Sequence, residues 1–184
     1  MNRSQLAHVL RSASRIARDS NVLVVGSQAI LGFRDEDELP AAATASMEAD
    51  IAFLDDVDRA KADEVEGGIG EFSLFHEEFG YYAEGIHIDT VALPTGWQER
   101  LMRPDLPDAE PAHAAFLEPH DLVASKLAAG RPKDLNFALA LVHADLIDLD
   151  VLLERIYEMP DGMHQTALDR MIGWAESVRQ QRDL

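Results

Sequence analysis

Two acidic residues and a glycine–serine pair are the residue types in this chain that could do chemistry together. Glu48 and Asp50 lie two positions apart in residues 46–54, which read as a β-strand. Side chains two apart on a strand point to the same face, so the two carboxylates are predicted to crowd together. Such a pair repels itself unless a cation lies between the carboxylates, and Mg²⁺ (or Mn²⁺) is a hard cation that takes carboxylate oxygens and phosphate. The spacing therefore predicts a divalent metal site.

Gly26 and Ser27 supply what a phosphate-binding turn needs. They follow an apolar stretch, residues 21–25, that predicts a strand, and they precede a predicted short helix over residues 27–32. Glycine lets the backbone approach a ligand closely, serine offers a hydroxyl, and the unpaired N–H groups at a helix start attract an anion. Together with the acid pair, this turn predicts a triphosphate site facing a metal site.

The order of these features resembles the nucleotidyltransferase fold of the DNA polymerase beta superfamily. Strand, Gly-Ser, helix and then a small hydroxyl residue at Ser46 before Glu48 and Asp50 follow that pattern. The closest likeness within it is to the bacterial group related to the AbiEii-type toxin nucleotidyltransferases, which residues 93–97 and 126–134 also fit. The likeness covers roughly residues 20–145.

The resemblance implies an α+β fold in which a mixed β-sheet is flanked by helices. It implies a nucleotidyltransferase-like core over residues 1–117, followed by a C-terminal helical region over residues 118–184 packed on that core. A strand is predicted over residues 85–93, and by position it would bring a third carboxylate, Asp89, to the metal. The implied catalytic and metal-binding residues are Glu48, Asp50 and Asp89, and the implied nucleotide-binding residues are Gly26, Ser27, Lys126, Arg131 and Lys133.

The activity implied by the resemblance is transfer of a nucleoside monophosphate from an NTP to an acceptor hydroxyl. The acceptor, whether tRNA, protein or a small molecule, is left open. Glu48 stands where the family usually has aspartate. If Asp50 is instead taken as the first acid of the motif, the position of the second acid falls on Ala52, which cannot bind a metal. This second alignment would predict an inactive relative. The alignment that uses Glu48 and Asp50 is preferred because it puts Ser46 where the family has a small hydroxyl residue. The alternatives are an inactive interaction or regulatory protein, for instance a toxin–antitoxin component, and a nucleotide-binding sensor.

Composition restricts the partners of the chain. Its 184 residues carry 34 acids against 16 Lys and Arg, a net charge of −18, which disfavours non-specific nucleic-acid binding outside a local basic patch. Lys126, Arg131 and Lys133 form such a patch. The chain contains no cysteine and no run of about 18 apolar residues, and Met1 is not followed by a signal-peptide core, so a cytoplasmic protein without membrane contact is expected.

Hydrophobic periodicity and breaker residues predict the remaining elements. They are a helix over 4–19 capped by Ser4, a loop over 33–45, a surface helix over 55–66 ended by Gly67-Gly68, an aromatic-rich segment over 69–85, a last strand over 112–117, and helices over 121–129, from 133, over 148–156 and over 163–180. The acidic run within the loop is expected to be solvated, with a mobile loop over the nucleotide as the alternative. The aromatic residues of segment 69–85 are expected to pack against the core or in a lid, with stacking on a base as the alternative. The last two helices are expected to pack on the core or to form a homo-oligomer contact.

Overall fold

The computed structural model describes residues 1–182, and a four-stranded mixed sheet lies at its centre. The strands are β1 (Leu23–Val24), β2 (Glu48–Ala52), β3 (Tyr82–Gly85) and β4 (Ala115–Phe116), in the order β3-β2-β1-β4. β1 runs antiparallel to β2 and parallel to β4, whereas β2 and β3 are parallel. The predicted α+β class, with a mixed sheet flanked by helices and followed by helices, is confirmed.

Eight α-helices and five short 3₁₀ segments surround the sheet in the described residues. The helices are α1 (Arg3–Ala17), α2 (Ala41–Thr44), α3 (Ala60–Ile69), α4 (Leu74–Phe79), α5 (Pro119–Ala129), α6 (Pro132–His143), α7 (Leu149–Tyr157) and α8 (Gln165–Arg182), and the 3₁₀ segments are Ser27–Gly32, Glu36–Glu38, Ile88–Thr90, Trp97–Arg100 and Pro107–Ala109. α5 packs against α6, α7 and α8 and also against the first 3₁₀ segment. The division into two regions at residue 117 stays a prediction, and residues 183–184 of the second region lie outside the described residues.

The core covers both faces of the central strands. Leu23, Ile51 and Phe116 are fully or almost fully buried, as are Leu122 of α5 and Leu141 of α6. Burying an apolar side chain of this size stabilises the fold by about 1.5–3 kcal/mol. This two-sided burial explains why β1 is a continuous apolar run with no alternation. Among residues 1–182, no helix combines the length and the apolar character that crossing a bilayer would require.

The predicted boundaries of two helices are wrong, at the start of α1 and at both ends of α3. α1 begins one residue earlier than predicted, because the Asn2 side chain, not that of Ser4, caps it by accepting from the Gln5 backbone N–H at 2.8 Å. α3 begins only at Ala60 and continues through the predicted Gly67-Gly68 stop. A Cβ at position 68 would lie 2.9 Å from Ile16 Cδ1, so the close packing of α1 on α3 favours glycine inside the helix.

The segment predicted as a loop, residues 33–45, is partly ordered. It contains a 3₁₀ turn and α2, and it buries Leu39 and Ala43. Most of the acidic run is exposed, as expected, but Asp35 forms an ion pair with Arg3 of α1. The segment is therefore tied to the start of α1 on one side and packs through α2 on α6 on the other.

Most of the aromatic residues of segment 69–85 pack on α1. The rings of Phe75 and Phe79 lie 4.9 and 4.6 Å from the His8 ring, and Tyr81 donates or accepts a 2.8 Å hydrogen bond with His8 Nδ1. This agrees with the packing interpretation. Tyr82 differs, because alternation along β3 turns it to the other face of the strand.

Candidate active site

Three carboxylates lie together on one face of the sheet. Glu48 and Asp50 come from β2 and Glu84 from β3, and one oxygen from each lies within 4.8 Å of the other two. The parallel register pairs Asp50 with Glu84, and the two β2 acids share a face because they are two residues apart. The predicted proximity of Glu48 and Asp50 is therefore observed, and we refer to the three acids as the acid cluster.

The structure does not bring Asp89 to this cluster. The predicted strand over residues 85–93 is wrong: β3 ends at Gly85, and Asp89 lies in the 3₁₀ segment Ile88–Thr90. Its side chain is 63% exposed and pairs with Arg59 at 2.6 Å. The third acid is instead Glu84, which sequence reasoning missed. A strand over residues 81–84 would have placed Glu84 on the same face as Tyr82, but nothing in that segment indicates that it pairs with β2.

Gly26 makes room for the Asp50 side chain. A Cβ on Gly26 would lie 1.6 Å from Asp50 Oδ2, although the backbone there has an ordinary φ of −85°. Glycine is thus required for space and not for conformation. Ser27 begins the predicted helix, which is a six-residue 3₁₀ segment ending at Gly32. The fully buried Gln28, which sequence reasoning also missed, donates from Nε2 to the Ser46 carbonyl at 3.2 Å and ties this turn to the start of β2.

Glu48 is held by neighbours on both strands. The Tyr82 hydroxyl donates to Glu48 Oε2 at 3.1 Å, and Tyr82 is the residue that pairs with Glu48 in the sheet register. The Glu48 backbone N–H donates to Ser46 Oγ at 3.1 Å. Ala52, the second position of the alternative alignment, is fully buried and pairs with Leu23. The geometry therefore favours the alignment that uses Glu48 and Asp50.

Crowding of the acids perturbs their protonation. Burial, together with a hydrogen bond to Glu48 and its charge, raises the pKa of Asp50 to about 7. Burial and Glu48 likewise raise the pKa of Glu84 to about 7. Burial alone would raise the pKa of Glu48, but hydrogen bonds from Asp50, Glu84 and Tyr82 outweigh it and leave that pKa lowered. Without a cation, the cluster therefore retains protons up to neutral pH, with its negative charge centred on Glu48.

The three predicted basic residues surround the acid cluster. Lys126 comes from α5, and Arg131 and Lys133 flank the start of α6. The buried carboxylate of Asp134 accepts from Arg131 Nε at 2.6 Å and lies 3.7 Å from Lys126 Nζ. Asp134 thus orients two of the three basic side chains, a role that sequence reasoning missed. The positive charge of Lys133 acts to lower the pKa of Glu48.

Two cavities meet at the acid cluster, and we call them the larger chamber, about 500 Å³, and the smaller chamber, about 320 Å³. Four side chains line both: Glu48, Asp50, Lys126 and Arg131. Ser27 and Lys133 line the smaller chamber only, beside α2. Glu84 lines the larger chamber only. The cluster therefore lies at a junction between a space rich in phosphate-binding groups and a second, differently lined space.

A carboxylate cluster on a sheet face, beside a glycine–serine turn and three basic side chains, is the arrangement that the nucleotidyltransferase resemblance implies. The model of the family described as "Nucleotidyltransferase of unknown function (DUF6036)" matches residues 4–182. The chain belongs to this family. No curated protein and no solved structure matches the chain. The family match supports the resemblance to nucleotidyltransferases, whereas the closer likeness to the AbiEii-type group stays a prediction.

Proposed function

We propose that this protein transfers a nucleoside monophosphate from an NTP to an acceptor hydroxyl, with Mg²⁺ or Mn²⁺ bound at the acid cluster. The observation that carries the proposal is the convergence of three carboxylates within 4.8 Å at the junction of two cavities, where Lys126 and Arg131 line both cavities and Lys133 lines the smaller one. Hard oxygen donors and nearby cationic groups are together what a metal–triphosphate complex requires.

The acid cluster fits a divalent cation by its chemistry. Glu48 and Asp50 would hold the ion, and Glu84 completes the donor set. Two of these carboxyls have pKa values raised to about 7, so bringing all three to the ionised state opposes folding unless positive charge offsets it. A bound cation would supply that charge, and it would polarise the phosphate oxygens of the substrate.

The residues of the chain then bind and orient the reactants. The Ser27 hydroxyl and the turn that precedes it bind the terminal phosphates, and the basic side chains neutralise the charge that develops on them. The acceptor oxygen forms a bond to the α-phosphorus while the bond from that phosphorus to the oxygen bridging the β-phosphate breaks. Pyrophosphate leaves, and the acceptor proton passes to a carboxylate oxygen of Glu84, the exposed member of the cluster.

The test is label transfer from each α-labelled NTP, with Mg²⁺, to separate fractions of RNA, protein and low-mass metabolites. We expect transfer by the wild type, loss of transfer in Asp50→Asn, and retention in the matched control Asp89→Asn, whose side chain lies outside the cluster. Transfer that survives Asp50→Asn would refute the proposal. NTP binding without transfer would favour a sensor, and neither binding nor transfer would favour a regulatory or toxin–antitoxin protein.

A further inference from the structure

The larger chamber differs from the smaller one in the residues that line it. Beyond the four shared residues, its lining is mostly apolar or small, and it includes Ile86, Val91, Ala92, Ala128 and Met163. The hydroxyl groups of Thr90 and Ser125 also line it. A cavity of about 500 Å³ that combines these apolar side chains with hydroxyl, carboxyl and basic groups has the size and the mixed lining of a small-molecule site.

The two chambers also differ in charge. Lys133 and Ser27 line only the smaller chamber, which therefore has a third basic side chain and a hydroxyl for a triphosphate, whereas Gly26 lines the larger chamber. Glu84 lines only the larger chamber, which therefore has three carboxyl groups and two basic side chains, whereas the smaller chamber, with Asp134, has three of each. A ligand with several phosphates is therefore disfavoured in the larger chamber, and a neutral or cationic ligand is favoured.

The overall charge argues against a polynucleotide in the larger chamber. The chain carries −18, and only two basic side chains, Lys126 and Arg131, line the larger chamber, both at its junction with the smaller one. A polynucleotide needs a basic surface that tracks several phosphates. The larger chamber offers instead an apolar wall to which Met163 and, from α8, Ala167 contribute.

We propose that the larger chamber is the acceptor site, and that the acceptor is a small, neutral or cationic molecule with one apolar face and a hydroxyl that reaches the acid cluster. This inference rests on the proposed function and assigns its substrate class. It also assigns Met163 and Ala167 as residues that determine which acceptor fits.

The first test fills each chamber separately with a phenylalanine. Ala45 lines only the smaller chamber and Ala167 only the larger one, so Ala45→Phe and Ala167→Phe are a matched pair. Calorimetry with each NTP and Mg²⁺ should give a loss of affinity of about tenfold or more in Ala45→Phe and a change within about twofold in Ala167→Phe. The reverse pattern would overturn the chamber assignment. If Ala45→Phe or Ala167→Phe does not give the wild-type circular dichroism spectrum, a second pair replaces them. In that pair Ala42→Phe fills the smaller chamber and Ala129→Phe fills the larger one.

The second test follows the acceptor. Label from the NTP should enter the low-mass fraction, and Ala167→Phe should lower that transfer by about tenfold or more while it still binds NTP. Label in RNA or in protein would overturn the small-molecule assignment and leave the proposed function intact. If the wild type binds no NTP, the proposed function itself fails. If it binds NTP in the smaller chamber and transfers label to none of the fractions, both proposals are contradicted.

Discussion

The substitution Asp50→Asn is expected to stabilise the metal-free protein at pH 8 although it removes the proposed metal site. The folded structure raises the pKa of this carboxyl from 3.8 to about 7, so ionising it in the folded state is unfavourable. One pKa unit corresponds to about 1.36 kcal/mol, which gives an upper limit of about 4 kcal/mol. Coupling to Glu48 and Glu84 shares this energy among three groups, so we expect a gain of about 1–2 kcal/mol. The amide keeps a donor for Glu48, as the protonated acid does.

The pH dependence distinguishes this origin from a general effect of the substitution. A group whose pKa is raised by folding binds more protons in the folded than in the unfolded state between pH 4 and about 7, so the wild type loses stability as the pH rises through that window. Asp50→Asn lacks the Asp50 part of this loss and keeps the part that Glu84 contributes. Urea unfolding with EDTA should therefore show nearly equal stabilities at pH 4 and a more stable variant at pH 8. Mn²⁺ at about 100 times its Kd should stabilise the wild type by about 2.7 kcal/mol and the variant hardly at all.

The control for this experiment is Asp89→Asn, an acid-to-amide change at an exposed position outside the cluster. Its effect should be small, within about 1 kcal/mol, because it removes only a surface ion pair. The reasoning is refuted if Asp50→Asn is less stable than the wild type at pH 8, or if Mn²⁺ stabilises both proteins equally.

Three further variants test the residues that position the site. Gly26→Ala should abolish Mn²⁺ binding measured by calorimetry, because its methyl group would displace the Asp50 carboxylate, and unchanged affinity would contradict the steric argument. Tyr82→Phe removes a hydrogen bond to Glu48 worth about 1 kcal/mol, so it should weaken Mn²⁺ binding about fivefold. Mn²⁺ affinity should recover in the double variant that also carries Glu48→Asp. Asp134→Asn should lower NTP affinity while it leaves Mn²⁺ affinity unchanged, because this carboxylate holds two basic side chains and no metal; equal loss of both affinities would argue for general unfolding.

Local sequence patterns were sufficient for the central strands and for the β2 acids. The apolar run at β1 and the two-residue spacing of Glu48 and Asp50 are properties of single segments, and strand periodicity translates them directly into faces. The same reasoning placed the start of the 3₁₀ segment at Ser27 and the break before α6. These features need no knowledge of which segments pack together.

The features that sequence reasoning missed depend on contacts between distant segments. Glu84 joins the acid cluster only because β3 pairs in parallel with β2, and nothing within residues 82–85 announces that register. Gly68 continues α3 because of a contact with α1, against its low helix propensity. Asp134 reaches Lys126 across the α5–α6 junction, in addition to its local pair with Arg131. A single sequence without its fold carries no local signal for such tertiary contacts.

The register between β2 and β3 is what converts two acids into a three-acid site. It places Tyr82 opposite Glu48 and Glu84 opposite Asp50, and a slip of one residue would turn the buried alanine of β3 toward the acids instead. A backbone hydrogen bond lies at each end of this pairing. Tyr82 N donates to the Met47 carbonyl at 3.0 Å, and Ile86 N donates to the Ile51 carbonyl at 2.7 Å. At the far end of β3, a Cβ on Gly85 would lie 2.0 Å from the α3 backbone, so only glycine lets the strand finish in this register. The longer side chain at position 48 is accommodated by the same register, because Tyr82 lies where it can hold the Glu48 carboxylate within the cluster.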